Sequence, residues 1–246
     1  MASSIALLTE KRRFHVRWLW YLAGVGLAAA LAVALLAMTR SSLFHVRDIE
    51  VEGNHALSGA ELIRRTGITA ATNAMWLDEG SVERSLLAEP WIARVEVRVS
   101  LPWTVHISII ERTPVAVIRQ AAGFLLVAGD GTALGTSARP GGLPLIQTPP
   151  ASVAEGRAPM LEGSARALGA LAPQLRSRVR RVTVAASSTL EIFLDDGVRI
   201  SYGTADLFVR KAIAIRDVLA WADSEGEHLR AMDVSVPSAP AVVPAA

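Results

Sequence analysis

The stretch Trp18–Met38, WLWYLAGVGLAAALAVALLAM, contains no charged residue. As a helix rising about 1.5 Å per residue it spans roughly 30 Å, the thickness of a bilayer's hydrocarbon core. Trp18, Trp20 and Tyr21 lie at one end, where amphipathic rings favour the membrane–water interface. A cleaved signal peptide would carry a shorter apolar stretch, about 7–15 residues. Ala34 and Ala37 make a poor cleavage site, so the segment reads as a retained anchor. Gly24 and Ala28 form a small-xxx-small pair, a weak signal in so alanine-rich a helix.

Flanking charge orients the segment. Lys11, Arg12, Arg13 and Arg17 precede it, whereas Arg40 and Arg47 follow together with Asp48, Glu50 and Glu52. The positive-inside rule then puts the N-terminus in the cytoplasm and residues 40–246 outside. The expected plan is a cytoplasmic tail over 1–17 and a transmembrane helix over 18–39, followed by folded domains. About 200 residues remain beyond the helix, enough for one or two small cores.

Those 25 Lys+Arg and 23 Asp+Glu divide unevenly. Removing the basic tail leaves 21 bases and 22 acids over residues 18–246, a near-neutral surface unsuited to neutralising phosphates. Nucleic-acid binding is therefore not expected, and the run Arg176, Arg178, Arg180 and Arg181 reads as a solvated helix end or strand edge. Arginine outnumbers lysine 23 to 2, which reflects genomic base composition. The absence of cysteine removes disulfides, thiolate metal sites and cysteine nucleophiles together.

Residues 44–111 read as one unit of order strand, helix, helix, strand, strand. Phe44, Val46, Ile49 and Val51 are spaced as a strand with one slip, and Gly53-Asn54 makes a turn. Ser58 precedes Glu61 by three, a capping box, and Gly67 suits the helix C-cap. A second helix fits Ser81–Ala88, with Val82, Leu86 and Leu87 on one face and Pro90 ending it. Val95, Val97 and Val99, then Val105, Ile107 and Ile109, alternate as a hairpin with one buried face around a Leu101-Pro102-Trp103 turn.

Beyond it, Val115–Arg119 and Phe124–Ala128 are expected strands, and 135–158, rich in Gly, Pro and Ser, an irregular loop. A helix fits Met160–Leu175. Strands fit Val179–Ala185, Thr189–Leu194 and Val198–Tyr202, the last pair joined through Asp195-Asp196-Gly197. A helix from Ala205 to Trp221 has Thr204 as its expected N-cap. The last strand is expected over Leu229–Val236, with 237–246 a flexible Pro/Ala-rich tail.

Two segments are distinctive: FHVRDIEVEGNHALSGAELI (Phe44–Ile63) and EPWIARVEVRVSLPWTVHISIIERTPVAVI (Glu89–Ile118). They resemble the POTRA module, a βααββ protein-binding fold, of the FtsQ/DivIB family of bacterial cell-division proteins. GFLLVAGDGTAL, LPLI, DDGVRISYG and MDVSVP resemble landmarks of that family's second, β-rich domain. The chain departs from the family at Ala128, where an Asp is frequent. The resemblance implies an α+β architecture: one transmembrane helix, a POTRA domain over 44–112, and over 113–236 an antiparallel sheet flanked by helices. It implies a bitopic scaffold at the septum that binds FtsB/DivIC-like and FtsL-like division proteins, in the company of the septal peptidoglycan synthase complex. The partner adds a strand to the edge of the last β-strand, here Met232–Val236, with Ala241–Val243 extending it. Val234, Ser235, Val236, Ala241 and Val242 are the expected contacts, and Trp221 on the neighbouring helix an anchor. Core packing is an equal account of Val234, Val236 and Trp221.

No catalytic pattern competes. G-x-S-x-G, the P-loop, H-E-x-x-H and a helix-opening G-x-G-x-x-G are all absent. His15, His45, His55, His106 and His228 are scattered, and none is paired four apart. Asp195 and Asp196 read as a turn, because adjacent strand residues face opposite ways. Trp76, Trp91 and Trp103 read as core rather than sugar-stacking platforms. No cofactor, metal or small-molecule substrate is expected. Two alternatives remain in view: a POTRA-bearing outer-membrane assembly or secretion component, which should bring repeated units or a barrel, and an anchored cell-wall hydrolase, which needs a catalytic constellation.

Overall fold

The structure is a computed structural model describing residues 3–100, 102–147, 159–185, 187 and 189–245. The polypeptide divides into two compact units, Met1–Leu86 with Val95–Ile109 and Leu87–Arg94 with Ile110–Ala246.

In the first unit a single helix, α1, runs Ser3–Thr39, and its apolar stretch Trp20–Thr39 is long enough to cross a membrane. A 3-10 turn at Ser42–Phe44 follows, then β1 (Asp48–Glu52). The early strand reading is corrected here: Phe44 closes a turn and the strand starts four residues later. The hydroxyl of Ser58 accepts from the Glu61 N–H (3.3 Å) and opens α2 (Gly59–Thr66), which ends at Gly67 in the left-handed region, φ 68°. Leu62 is its buried anchor. A 3-10 turn, Ala74–Trp76, precedes α3 (Glu79–Leu87), which buries Val82 and Leu86 while Leu87 faces water. Strands β2 (Ile92–Ser100) and β3 (Thr104–Glu111) complete a three-stranded sheet of order β1-β3-β2, with β1 parallel to β3. Val95, Val97, Val105, Ile107 and Ile109 alternate inward as their spacing predicts.

The outer edge of β2 is closed by side chains. Glu83 accepts from the Val97 N–H and Glu79 from the Val99 N–H, each at 3.0 Å, so α3 satisfies two strand donors that have no strand partner. Trp76 is 60 % exposed, which overturns its core reading, while Trp91 and Trp103 are half-buried.

The second unit is a nine-stranded sheet. Its strands are β4 (Pro114–Gln120), β5 (Gly123–Ala128), β6 (Ala133–Ser137), β7 (Leu145–Gln147), β8 (Val179–Val184), β9 (Thr189–Leu194), β10 (Arg199–Thr204), β11 (Leu229–Asp233) and β12 (Ala241–Pro244). Their order is β12-β11-β10-β9-β8-β7-β4-β5-β6. The sheet is mixed rather than wholly antiparallel: β4–β7, β7–β8 and β10–β11 pair in parallel. β7 lies inside the stretch expected to be irregular, and 148–158 fall outside the described residues. The helix expected over Met160–Leu175 is two, α4 (Pro159–Ala170) and α5 (Pro173–Arg178), because Pro173 cannot continue α4 and instead starts α5. Helix α6 runs Phe208–Glu225 and packs beside α4 on the sheet, burying Ala214, Ile215, Val218, Leu219 and Ala222.

Candidate partner-binding edge

Two prolines frame the outermost strand. Between Pro240 and Pro244 the β-forming residues Ala241, Val242 and Val243 extend along β11 in antiparallel register, Asp233 opposite Ala241 and Ala231 opposite Val243. The expected last strand is therefore corrected on two counts. β11 stops at Asp233, and both of its sides are taken, by β10 and by β12. The tail is not a free extension: residues 241–244 are the edge of the sheet.

Backbone geometry tells which groups of β12 face out. The Val234 N–H donates to Ser201 O at 2.9 Å, directing the even-numbered amides of this segment toward β10 and the odd ones toward β12. The Ala245 N–H donates to His228 O at 2.7 Å, so odd-numbered groups of β12 face inward. The outward groups are then the N–H and C=O of Val242 and the C=O of Pro244. Pro244 occupies an outward position, where its missing N–H costs no ladder bond.

The turn between β11 and β12 is tightly held. Asp233 accepts from the Ser235 N–H at 2.8 Å, and the hydrogen bonds from Ser235, side chain first and backbone second, hold the Asp233 carboxyl below its ordinary range. The Ala239 N–H closes the turn onto Val236 O at 3.0 Å. Gly203, at φ 74°, lies so close beneath it that an added Cβ would meet the Ser235 Cβ at 2.7 Å.

The six expected contact residues separate. Val234 is fully buried and belongs to the core. Ser235 and Val236 lie in the turn rather than in a strand, with Val236 57 % exposed. Val242 turns its side chain onto the core while Ala241 is exposed. Trp221 is 46 % exposed on α6, four residues beyond Asp217 and eight beyond the exposed Ile213. Val242 and Trp221 line one depression of about 510 Å³ with Val218, Pro237 and Pro240. Ser235 and Val236 line the adjoining one, about 480 Å³, with Leu207, Arg210 and Ile213. Ala214, Asp217 and Pro237 are common to both. Among the described residues no strand pairs with the outer side of β12, and this edge adjoins an apolar trough rimmed by Arg210 and Asp217.

One buried residue of α6 escaped the sequence reading. Lys211 has no exposure, yet its Nζ donates to Asp206 at 2.6 Å and to the Thr204 carbonyl at 2.8 Å, 4.8 Å over the Tyr202 ring. The hydrogen bond from Lys211 holds the Asp206 carboxyl below its usual range, and burial pushes the Tyr202 phenol up, so it stays neutral. Thr204 does not cap α6 as expected. Leu207, in the left-handed region at φ 45°, precedes the helix without a side-chain cap, and the buried Lys211 closes the corner instead. The signal was in the composition: Lys211 is the one lysine beyond the N-terminal tail of an arginine-rich chain. A compact ammonium fits where a planar guanidinium does not.

Asp195 and Asp196 form the expected hairpin turn, Asp196 accepting from the Val198 N–H at 3.1 Å and pairing with Arg178 at 2.6 Å. His106 is exposed, beside Ser100 and Glu50. Among the described residues no group of three or more His, Cys, Asp or Glu could hold a metal ion.

Comparison with known proteins also finds two modules, with Leu87–Arg94, which the structure groups with the second unit, falling in the first of them. Residues 44–112 match the family model "POTRA domain, FtsQ-type", and residues 116–235 match "Cell division protein FtsQ/DivIB, C-terminal". The second match stops six residues short of β12. Among curated relatives, a cell division protein FtsQ of Mycobacteroides abscessus is 26 % identical over 226 residues, covering 88 % of this chain and 70 % of the relative. One from Anaeromyxobacter sp. is 29 % identical over 77 % of this chain and 67 % of its own length. One from Streptomyces bingchenggensis is 29 % identical over 82 % and 77 %. Among solved structures, the major extracytoplasmic domain of DivIB from Geobacillus stearothermophilus aligns at 14 % identity and a TM-score of 0.36, over 46 % of this chain and 96 % of that one, too distant to bear on the argument. With both of its modules matched in order behind a single apolar helix, the chain belongs to the FtsQ/DivIB family of bacterial cell-division proteins.

Proposed function

We propose that this protein is a bitopic, non-catalytic scaffold of the division complex, anchored by α1 with its N-terminus in the cytoplasm. It holds FtsB/DivIC-like and FtsL-like partners at the septum, and through them helps control septal peptidoglycan synthesis. Residues 44–112 serve as the POTRA module. The β-rich domain, taken to include β12, carries the main partner surface. The observation that carries this reading is the open outer side of β12 beside the trough of Trp221, Val236 and Val242. An added strand takes the Val242 N–H and the carbonyls of Val242 and Pro244, while apolar side chains on its flank fill the trough. About three backbone bonds are worth roughly 2–4 kcal/mol together, well short of the 8 kcal/mol of a micromolar complex. The trough therefore supplies most of the affinity, with Trp221 its largest contact.

The test is calorimetric titration of the full chain in nanodiscs with the exported segment of an FtsB/DivIC-like partner. Val242→Pro removes the single outward donor and leaves the inward ladder whole, so affinity falls about tenfold or more with the fold intact. Trp221→Ala weakens binding by about 2 kcal/mol. Wild-type affinity in both variants would remove β12 from the interface.

A further inference from the structure

The end of a membrane helix leaves carbonyls without partners. At the end of α1 one of them is taken by the following domain: the Asn73 side-chain amide donates to Thr39 O at 2.7 Å. The same side chain accepts from the Met75 N–H at 3.0 Å and so caps the Ala74–Trp76 turn. His45 bridges Asn73 in antiparallel fashion, and the Val46 N–H donates to Thr72 O at 2.9 Å. The Arg47 N–H reaches Trp103 O at 3.0 Å, and the Phe44 ring lies 5.1 Å from that of Trp103. The turn is fixed to the point where the chain leaves α1.

Its exposure pattern is inverted for a soluble loop. The turn buries Ala74 and exposes Met75 and Trp76, and Leu43, on the 3-10 turn just after α1, is 60 % exposed as well. A 3-10 turn rises about 2 Å per residue, so Trp76 lies within roughly 10 Å of Thr39. Thr39 ends the apolar stretch and Arg40 follows it, which sets the hydrocarbon boundary there. The headgroup layer beyond that boundary is about 5–8 Å thick. Trp76 is thereby in reach of the layer that tryptophan side chains favour. Arg40 and Arg47 are exposed on the same segment, in reach of lipid phosphates. The two acids that follow Trp76 most closely are engaged within the protein: Asp78 accepts from the Ser81 N–H and Glu79 from the Val99 N–H.

We infer that Leu43, Met75 and Trp76 form a lipid-facing foot, seating the first unit in the headgroup layer beside α1. The inference rests on α1 spanning the membrane and is independent of the β12 edge. It assigns the exposed apolar side chains to lipid rather than to another protein.

The chain has no cysteine, so single cysteines can be introduced without background. Full-length protein with Met75→Cys carries a nitroxide in phosphatidylcholine–phosphatidylglycerol vesicles, with Ala29→Cys in α1 as the lipid reference and Glu225→Cys as the water reference. The expected result is that oxygen collides with the label at 75 more often than a water-soluble nickel chelate does, as at 29 and opposite to 225. Adding Trp76→Ser shifts the label at 75 toward the water pattern. A label at 75 that behaves like the one at 225 overturns the inference. So does a label shielded from both reagents, which would mean protein covers the foot. If the label at 29 itself reports water, the membrane span fails and the foot with it.

Discussion

Replacing Lys211 separates what its stem contributes from what its charge contributes. Truncation to alanine removes Cγ, Cδ and Cε from a site with no exposure, about 2–3 kcal/mol of burial before any cavity cost. It also removes one of the two donors to the Thr204 carbonyl, leaving the Asp206 N–H at 2.9 Å. Together these put Lys211→Ala at about 3–5 kcal/mol of destabilisation. Lys211→Met keeps the stem. It loses the two hydrogen bonds to Asp206 and Thr204, but it also relieves the cost of keeping an ammonium dry, and Asp206, whose side chain is 57 % exposed, can turn to water. Methionine should therefore cost only about 1–2 kcal/mol. At about 3 °C per kcal/mol for a domain of this size, alanine lowers the melting temperature by about 10 °C or more and methionine by no more than about 6 °C. The assay is thermal unfolding of the full chain in detergent micelles, followed by circular dichroism and differential scanning calorimetry. If methionine proves as damaging as alanine, the ammonium rather than the packed stem holds the corner, and the reasoning is refuted.

Two further predictions concern the second and first units in turn. Burial alone would raise the Asp130 carboxyl, but the hydrogen bond from Arg112 (2.7 Å) and that from the Thr132 N–H outweigh it and lower its pKa to about 2. A carboxyl lower in the folded state than in the unfolded one stabilises fully above about pH 4 and loses that contribution as pH falls toward 2. Asp130 is nearly half exposed, so screening limits the effect to about 1 kcal/mol. Asp130→Asn should flatten the stability–pH curve by that amount between pH 4 and 2, and parallel curves for the two proteins would contradict it. In the first unit, Gly53 sits at φ 83° with its absent Cβ 2.1 Å from the Ile109 carbonyl oxygen. Gly53→Ala should cost more than about 2 kcal/mol in chemical denaturation, from left-handed strain plus the clash. A cost below 0.5 kcal/mol, the ordinary range for surface changes, would show that β1 and β3 separate easily there.

Features encoded over a few neighbouring residues were legible in the sequence. Ser58, Glu61 and Gly67 mark both ends of α2, and the alternating valines and isoleucines of β2 and β3 point inward as spaced. Pairings between distant segments were not. β7 has only three residues in a Gly/Pro-rich run and holds its place by pairing with β4 and β8, far away in sequence. Nothing local marks the parallel contact of β10 with β11. The same limit shaped the reading of the site. Val234 and Val236 belong to one apolar run, yet the Asp233–Ser235 bond ends the strand and sends one side chain into the core and the other to the surface. Ala241–Val243 is too short to show a period, and only its position opposite Ala231–Asp233 makes it the edge. Lys211 was visible as an oddity of composition, but its ring of partners lies across β10, the corner and α6.

Anchored copies of one protein meet at high density in the plane of a membrane, held in a common orientation. In that setting any open row of backbone amides becomes a template for the identical row on a neighbour, and a two-dimensional array can stack without limit. The carboxylates of Glu79 and Glu83 occupy the amides of Val97 and Val99 that such stacking along β2 would require. A carboxylate accepts and cannot donate, so it terminates the ladder rather than passing it on. Two side chains on one short helix thereby block stacking along β2, with no additional strand needed to cover that edge.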